Sequence, residues 1–346
     1  LLEEDDRQTI EAVTLVSLPR YIRILVVPNS FPKTKPKACN FGLSFAKGEY
    51  VVIYDAEDKP DPLQLKKAYL GFKKVSPKVV CLQSKLNYYN PNQNLLTRLF
   101  TAEYSLWFDL ILPGLQSIQT SIPLGGTSNH FKMSAIRYLD AWDPFNVTED
   151  CELGVRLFKA GFKTGILNST TYEEANSKGG GWLKQRSRWI KGYVQTYLVH
   201  MRDPVGFAKK HGIHAFIFQL VIGMRMSFMV INPILWFMTI SYFLLNRYTG
   251  TLIEALFPGP LFYLASTSMV IGNFMYLYSF MVACGKRNRW ELVKYVYFVP
   301  FYWLLASIAA MRAFYQLLKK PYYWEKTSHG YHLEPKTQSK FGDIEL

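Results

Sequence analysis

Cysteine is scarce in this chain: four among 346 residues, at Cys39, Cys81, Cys151 and Cys284. No two of them form a Cys-x-x-Cys pair and no histidine stands at zinc-ligand spacing, which excludes a disulfide framework and a structural zinc site. Acidic residues are also in short supply, 26 against 40 Lys and Arg, for a net charge of +14. An aromatic–basic RNA-recognition pattern and a helix-turn-helix signal are both missing, so the positive charge does not point to nucleic acid. The basic residues are scattered or flank apolar segments, as at Lys209-Lys210, Lys286-Arg287-Asn288-Arg289 and Lys319-Lys320. That distribution suits a cytoplasmic domain lying on an anionic lipid surface and handling an anionic substrate. No signal peptide opens the chain. Leu1-Leu2-Glu3-Glu4-Asp5-Asp6 reads as the end of a strand, so a preceding N-terminal piece is expected.

Charge is sparsest between Ile213 and Leu318, a stretch dominated by Phe, Leu, Ile, Met, Tyr and Val. The overall hydrophobic fraction of 49% is ordinary, so its uneven spread is the informative feature. A soluble half joined to a membrane half is expected, with boundaries at 1–200, 201–320 and a tail over 321–346. Ile213 to Leu245 is too long for one simple span and is interrupted by Arg225 and by Asn232-Pro233. It divides into a surface-lying helix up to about Arg225 and a span from Phe228 to Leu245. Leu261 to Ala283 is a second span, and Lys286, Arg287 and Arg289 mark a cytoplasmic turn after it. Tyr295 to Leu318 contains Arg312 and Pro300 and is expected to be interfacial, since a full crossing would put the tail on the face away from the soluble half. Asn146-Val147-Thr148 and Asn168-Ser169-Thr170 match the glycosylation pattern by chance if the soluble half is cytoplasmic.

In the soluble half, Arg23–Val27, Tyr50–Tyr54 and Val79–Gln83 are β-branched-rich runs of strand length. Ala38–Ala46 and Pro62–Val75 have helical spacing. Strand, helix, strand in this order predicts an α/β layer with a mainly parallel sheet, whose ligands bind beyond the carboxyl ends of the strands. Asp55 stands at such an end. Glu152–Ala160 is a short helix, and Gly179-Gly180-Gly181 reads as a flexible break before a basic helix through Trp189 to His200.

Three constellations carry chemistry. Asp55-Ala56-Glu57-Asp58 offers closely spaced carboxylates that can hold a hard divalent cation; a solvated acidic turn is the plain alternative. Thr148-Glu149-Asp150 puts a carboxylate at a helix N-terminus, either as a general base or as a favourable partner of the helix dipole. Gln185-Arg186-Ser187-Arg188-Trp189 supplies two cations for a diphosphate and an aromatic face for a sugar, or else a basic interfacial helix.

Taken in order and followed by apolar segments, these residues resemble the family 2 membrane glycosyltransferases, which include cellulose, hyaluronan and chitin synthases and related bacterial β-glucan synthases. The resemblance runs from Asp5 to about Gly330. It implies a GT-A-type nucleotide-sugar fold followed by interfacial and transmembrane helices, in the inner membrane with the catalytic domain cytoplasmic. The implied partners are a nucleotide-sugar donor such as UDP-glucose, a glycan or glycolipid acceptor and the bilayer, with accessory subunits left open; Mg²⁺ or Mn²⁺ is the implied cofactor. Carried across by position, Asp5 and Asp6 resemble the acidic pair that contacts the nucleotide, and Lys37 with Asn40 the segment lining the donor site. Asp55 and Glu57 fall on the metal motif, with Asp58 as the alternative second ligand because Glu departs from the usual Asp. Gly126 and Thr127, in Gly125-Gly126-Thr127-Ser128-Asn129, resemble the small-residue loop near the acceptor, and Glu149 is implied to face the acceptor as well. Asp150 matches the base. Gln185, Arg186 and Arg188 match the diphosphate site and Trp189 the acceptor end. Trp324 to Gly330, with Lys326 and Thr327, is similar to a loop that closes on the nucleotide. A non-processive enzyme acting on a lipid-linked acceptor and a catalytically silent nucleotide-sugar-binding protein are the competing expectations.

Overall fold

A computed structural model describes residues 1–256 and 259–325. Strand β1 (Leu2–Glu3) pairs in parallel with β2 (Val26–Val27), with helix α1 (Arg7–Thr14) between them in sequence. Helix α2 (Lys35–Leu43) leads to the main sheet, built from β3 (Tyr50–Ile53), β4 (Lys59–Pro60), β5 (Val79–Tyr88), β6 (Asn129–Lys132) and β7 (Lys163–Glu173) in the order β3-β6-β5-β7-β4. β7 is parallel to β5, and β6 runs antiparallel to both β3 and β5, so β3, β5 and β7 share one direction. The short β4 closes the far edge antiparallel to β7.

β5 is almost wholly buried, yet it carries Gln83, Ser84 and Asn87. Two of these are met inside: Gln83 Nε2 donates to the Thr127 carbonyl at 3.1 Å and Asn87 Nδ2 to Ser105 Oγ at 3.1 Å. Helix α3 (Gln64–Lys74) flanks the sheet, and its buried Gln64 donates to Ser169 and Thr171 of β7. This internal polar pairing hides β6 and β7 from a hydropathy reading.

Helix α4 (Leu95–Leu106) opens on a reciprocal cap between Asn94 and Thr97. It continues through a π-helical turn, Trp107–Ile111, into α5 (Leu112–Ser117). After α6 (Met133–Tyr138) comes α7 (Glu149–Lys159), which starts three residues before the expected position and so takes Asp150 into its first turn. Helix α8 (Gly179–His200) includes the three glycines expected to be a flexible break. A Cβ on Gly181 would come within 2.6 Å of the Asn176 side chain, so close approach rather than mobility is what glycine provides there.

Among the described residues, three helices are long and apolar enough to cross a membrane by length and composition: Ile213–Leu244, Gly259–Lys286 and Trp290–Lys319. The first is continuous, with a π-helical stretch at Gln219–Met224 where the surface-lying part was expected to give way to the span. Its first half packs on α8, Tyr197 donating to Gln219 Oε1 at 2.9 Å, and beyond Asn232 its side chains are largely exposed. The third is held along α8. Trp182 meets Tyr302 with ring centroids 5.1 Å apart, Gln195 Nε2 donates to the Pro321 carbonyl at 3.1 Å, and Arg98 of α4 stacks on Tyr295 at 4.5 Å. Both ends of this helix therefore touch the soluble half. A core of α4, α8 and apolar-helix side chains, including Phe100, Trp182, Ile190, Phe280 and Ala309, joins the two halves.

Candidate active site

Strand β3 ends at Ile53 and delivers Asp55 into a cleft beyond the sheet's edge. Four segments far apart in sequence meet there at one glycine. Lys35 Nζ ion-pairs with Asp55 Oδ1 and donates to the Gly126 carbonyl at 2.7 Å. On the other side, a Cβ on Gly126 would stand 3.4 Å from Asp150 Oδ2. A larger side chain would fill the space between the base candidate and the acidic loop, which is why a residue without bulk fits here.

The loop bearing Gly126 is fixed by β5. The Gly125 amide donates to Gln83 Oε1 at 2.7 Å, and Ser128 adopts φ +58°. The Thr127 hydroxyl is buried and donates to Asp58 Oδ2, which also accepts the Asp55 amide at 2.9 Å. Thr127 thus sits against the acidic motif. Asp58 Oδ1 is buried and has no hydrogen-bond partner. Burial pushes the Asp58 carboxyl up to about 6, against the lowering effect of Thr127.

Asp150 lies in the first turn of α7, where its Oδ1 accepts the Cys151 amide at 2.8 Å. Burial raises its pKa, and Lys35 and Arg188 offset part of that rise. Glu149 beside it is raised by burial and by the charge of Asp150. The α7 N-terminus is docked on α8 through a close approach: a Cβ on Gly192 would fall 2.3 Å from Thr148 Oγ1. Thr148 makes no side-chain cap; the Asn146 Oδ1 accepts the Thr148 amide at 2.9 Å instead.

From α8, Arg188 faces this cleft. Its guanidinium feels the charges of Glu149, Asp150 and Asp55, though burial lowers its pKa more than they raise it. The ring of Trp324 lies 4.5 Å from it. Gln185 is buried with Oε1 unpartnered, and Trp189 packs against Phe100 with ring centroids 5.8 Å apart.

Other expected site residues are placed elsewhere. Lys37 ion-pairs with Glu3 at 3.0 Å, and Asn40 bonds both backbone groups of Trp142, at 2.7 and 3.1 Å. Lys35 and Lys37 flank Pro36 at a helix start, and residues two apart on a helix point to different sides. The same spacing separates Arg186 from Arg188. Arg186 turns to Glu103 of α4, donating to both its oxygens at 2.9 and 2.5 Å. Asp5 pairs with Lys33, and Asp6 caps α1 by accepting from the Thr9 amide at 3.2 Å. Lys326 and Thr327 lie outside the described residues.

The sequence reading missed Lys35, Glu103 and Glu173. Glu173 ends β7 beside Tyr88 of β5, and burial together with Asp58 and Asp55 raises its carboxyl well above the ordinary value. The available signal for Glu173 was its place at a strand end, legible only once β7 is recognised.

Among the described residues no group of three or more His, Cys, Asp or Glu is arranged to hold a metal ion. Asp55 with the orphaned oxygen of Asp58 still fits a hard divalent cation, which binds through one or two carboxylates while phosphates and water complete its shell.

The family model described as glycosyl transferase family group 2 matches residues 50–318. Among curated proteins, "Probable glycosyltransferase YdaM" of Bacillus subtilis is 25% identical over 170 residues, 49% of this chain and 40% of that protein. "Probable glucomannan 4-beta-mannosyltransferase 10" of Arabidopsis thaliana is 28% identical over 149 residues, 43% of this chain and 27% of that protein. "Beta-monoglucosyldiacylglycerol synthase" of Synechocystis sp. is 28% identical over 189 residues, 53% of this chain and 39% of that protein. The chain thus spans well under half the length of each of these relatives. Among solved structures, the mannosyltransferase PcManGT from Pyrobaculum calidifontis in complex with GDP-Man and Mn²⁺ is similar at 17% identity and TM-score 0.44, covering 88% of this chain and 72% of that one.

Proposed function

Because the chain belongs to the glycosyl transferase family group 2, we propose that it is a membrane-attached inverting enzyme that moves a hexosyl unit from a nucleoside diphosphate to a glycan or glycolipid hydroxyl. The observation that carries this reading is the meeting of Lys35, Asp55, Gly126 and Asp150 at one point, with Arg188 facing them. Asp150 draws the proton from the acceptor hydroxyl, and its raised pKa makes it a stronger base than an ordinary carboxylate. Arg188 and Lys35 take the charge of the departing diphosphate. Asp55 and Asp58 would hold Mg²⁺ or Mn²⁺, and the ion would neutralise the leaving diphosphate. Gly126 leaves room for the acceptor beside the base, and Trp189 supplies an aromatic platform for its terminal sugar.

In this reading the apolar helices attach the site to a bilayer and the soluble half lies on the cytoplasmic side, an orientation that the basic residues flanking the apolar segments support. A growing β-glucan made from UDP-glucose is the acceptor and donor pair the sequence resemblance favours, and the similarity to a glucosyldiacylglycerol synthase supports a lipid acceptor as the second reading. Incubating the purified protein in nanodiscs with a panel of UDP- and GDP-sugars plus Mg²⁺ or Mn²⁺ tests the proposal. Release of nucleoside diphosphate with sugar appearing in a polymer or a lipid extract supports it; intact donor throughout the panel overturns it.

A further inference from the structure

The half-buried carboxylate of Glu103 lies outside the cleft and is held by three side chains from three different helices. Arg186 of α8 binds it in a two-point fork at 2.9 and 2.5 Å. Arg225, from the first apolar helix, reaches Oε1 at 3.1 Å. Tyr302, from the third, donates to Oε2 at 2.6 Å and accepts from Arg186 at 2.7 Å. One side chain on α4 therefore ties together α8 and two of the apolar helices. Burial alone would push its carboxyl up, but Arg186 and Arg225 reverse that and hold it below the ordinary carboxylate range.

The fork fixes more than charge. Arg186 stands between Trp182 and Trp189, four residues before and three after, on the same face of α8. Its guanidinium lies 5.1 Å from the Trp182 ring, 5.2 Å from Trp189 and 5.1 Å from Phe100. Arg186, Trp189 and Arg225 also line one small cavity, with Trp107, Tyr193 and Met226. Arg225 is stacked on Trp107 across it at 4.6 Å. Two guanidiniums in an aromatic surround hold a single geometry only while a carboxylate opposes them.

We propose that Glu103 is a positioning residue for acceptor transfer: through Arg186 it holds the indole of Trp189 at the acceptor end and registers that indole against the membrane helices. This rests on the glycosyl-transfer reading above. Removing the charge leaves Arg186 and Arg225 without their shared counter-ion, Trp189 loses the cation stacked on it, and the acceptor hydroxyl is no longer presented to Asp150. Donor cleavage by water needs no such presentation.

The test uses the full chain in nanodiscs, labelled with 5-fluorotryptophan, with Trp189→Phe identifying the Trp189 resonance. In Glu103→Gln the ¹⁹F signals of Trp189 and Trp182 should shift or broaden while that of Trp142, which packs in the separate core behind the sheet, stays fixed. With UDP-glucose or GDP-mannose and Mn²⁺, the ratio of transferred to hydrolysed sugar should fall at least about tenfold, the scale of loss expected when a reactant is misplaced by a fraction of an ångström or more. UDP and GDP affinities should hold. Tyr302→Phe, which removes one bond to the carboxylate, should move both readouts in the same direction and less far, and it stands in if Glu103→Gln does not fold. An unmoved Trp189 signal overturns the inference, and so does an equal loss of transfer and hydrolysis. If wild-type protein cleaves no donor, the proposed function falls, and the Trp189 signal still decides the role of Glu103.

Discussion

At Asp55 one carboxylate oxygen is already engaged by the Lys35 ammonium, which also reaches the Gly126 carbonyl at 2.7 Å. Burial would lower the pKa of that ammonium, but the charges of Asp55 and Glu149 reverse the effect and hold it above the ordinary lysine range. Lys35 is therefore a fixed cation at the place where a diphosphate would arrive. Replacing it as Lys35→Met should weaken nucleoside diphosphate binding about tenfold or more, the loss expected for one charge-assisted hydrogen bond. The same change frees Asp55 and should tighten Mn²⁺ binding in the absence of nucleotide. Calorimetric titration of both ligands checks this, and an unchanged nucleotide affinity would contradict it. The motif residues Asp55, Asp150 and Arg188 were legible from strand ends, a helix start and local order. Which of two nearby cations entered the cleft was not, because Lys35 and Lys37, like Arg186 and Arg188, differ only in the helix face they occupy. That face is set by partners distant in sequence, Glu3 for Lys37 and Glu103 for Arg186.

The docking of α7 on α8 is the element-scale feature that brings Asp150 and Arg188 to one cleft. It depends on Gly192, where an added Cβ would fall 2.3 Å from Thr148 Oγ1. Gly192→Ala should cost about 1–3 kcal/mol, as overpacking of a tight contact does, and should lower turnover by moving the α7 N-terminus. A thermal-unfolding scan beside a turnover assay measures both, and a wild-type-like melting point would contradict the packing account. The short segment after the third apolar helix is strapped to the same α8. The wholly buried Lys191 donates to the Tyr323 carbonyl at 2.7 Å, and Glu325 takes Arg312 at 2.5 Å. Burial, with Arg188 adding to it, lowers the Lys191 pKa from 10.5 to about 8. Between these values the unfolded chain binds the proton that the folded chain has lost, so stability rises with pH across that window. Lys191→Met should remove this rise in urea-unfolding midpoints measured from pH 8 to 10. Among the elements, β3, β5, α2 and α3 were readable from apolar runs and helical spacing. β6 and β7 escaped because His130, Ser169 and Thr171 are buried polar residues held by internal hydrogen bonds, which breaks the hydropathy alternation.

On the scale of the whole molecule, the soluble half and the apolar helices share one core, so the cleft is fixed relative to those helices rather than tethered to them. Arg287 pairs with Asp109 of the π-helical turn after α4, and its Nη2 donates to the Leu86 carbonyl at 3.4 Å, which puts the turn after the second apolar helix on the cleft's side. The third apolar helix lies along α8, with Arg98 stacked on Tyr295 near its start and Gln195 holding Pro321 past its end. Cysteines introduced at Arg289 and Lys320 should then be labelled by an impermeant maleimide from the side of the soluble half, and one at Tyr248 from the opposite side. Labelling of position 320 together with 248 would contradict the arrangement. Composition alone foresaw the apolar half; its last helix, expected to be interfacial, is long and apolar enough to cross a membrane, and the contacts that lay it along α8 are tertiary.

The central claim, that Asp150 is the base of a glycosyl transfer, is tested most directly by comparing wild type with Asp150→Asn in nanodiscs. Turnover and nucleoside diphosphate affinity are measured side by side across pH. Turnover should fall at least about 10²-fold, in the range for loss of a general base. Affinity should change by less than about twofold, since the substitution removes a group that acts on the acceptor. The wild-type rate should be lost as pH falls through a pKa above the usual aspartate value of about 3.9, because the buried carboxyl is protonated early, and the variant should lack that limb. Equal loss of turnover and binding, or an Asn variant that still turns over with the same acid limb, would contradict the account.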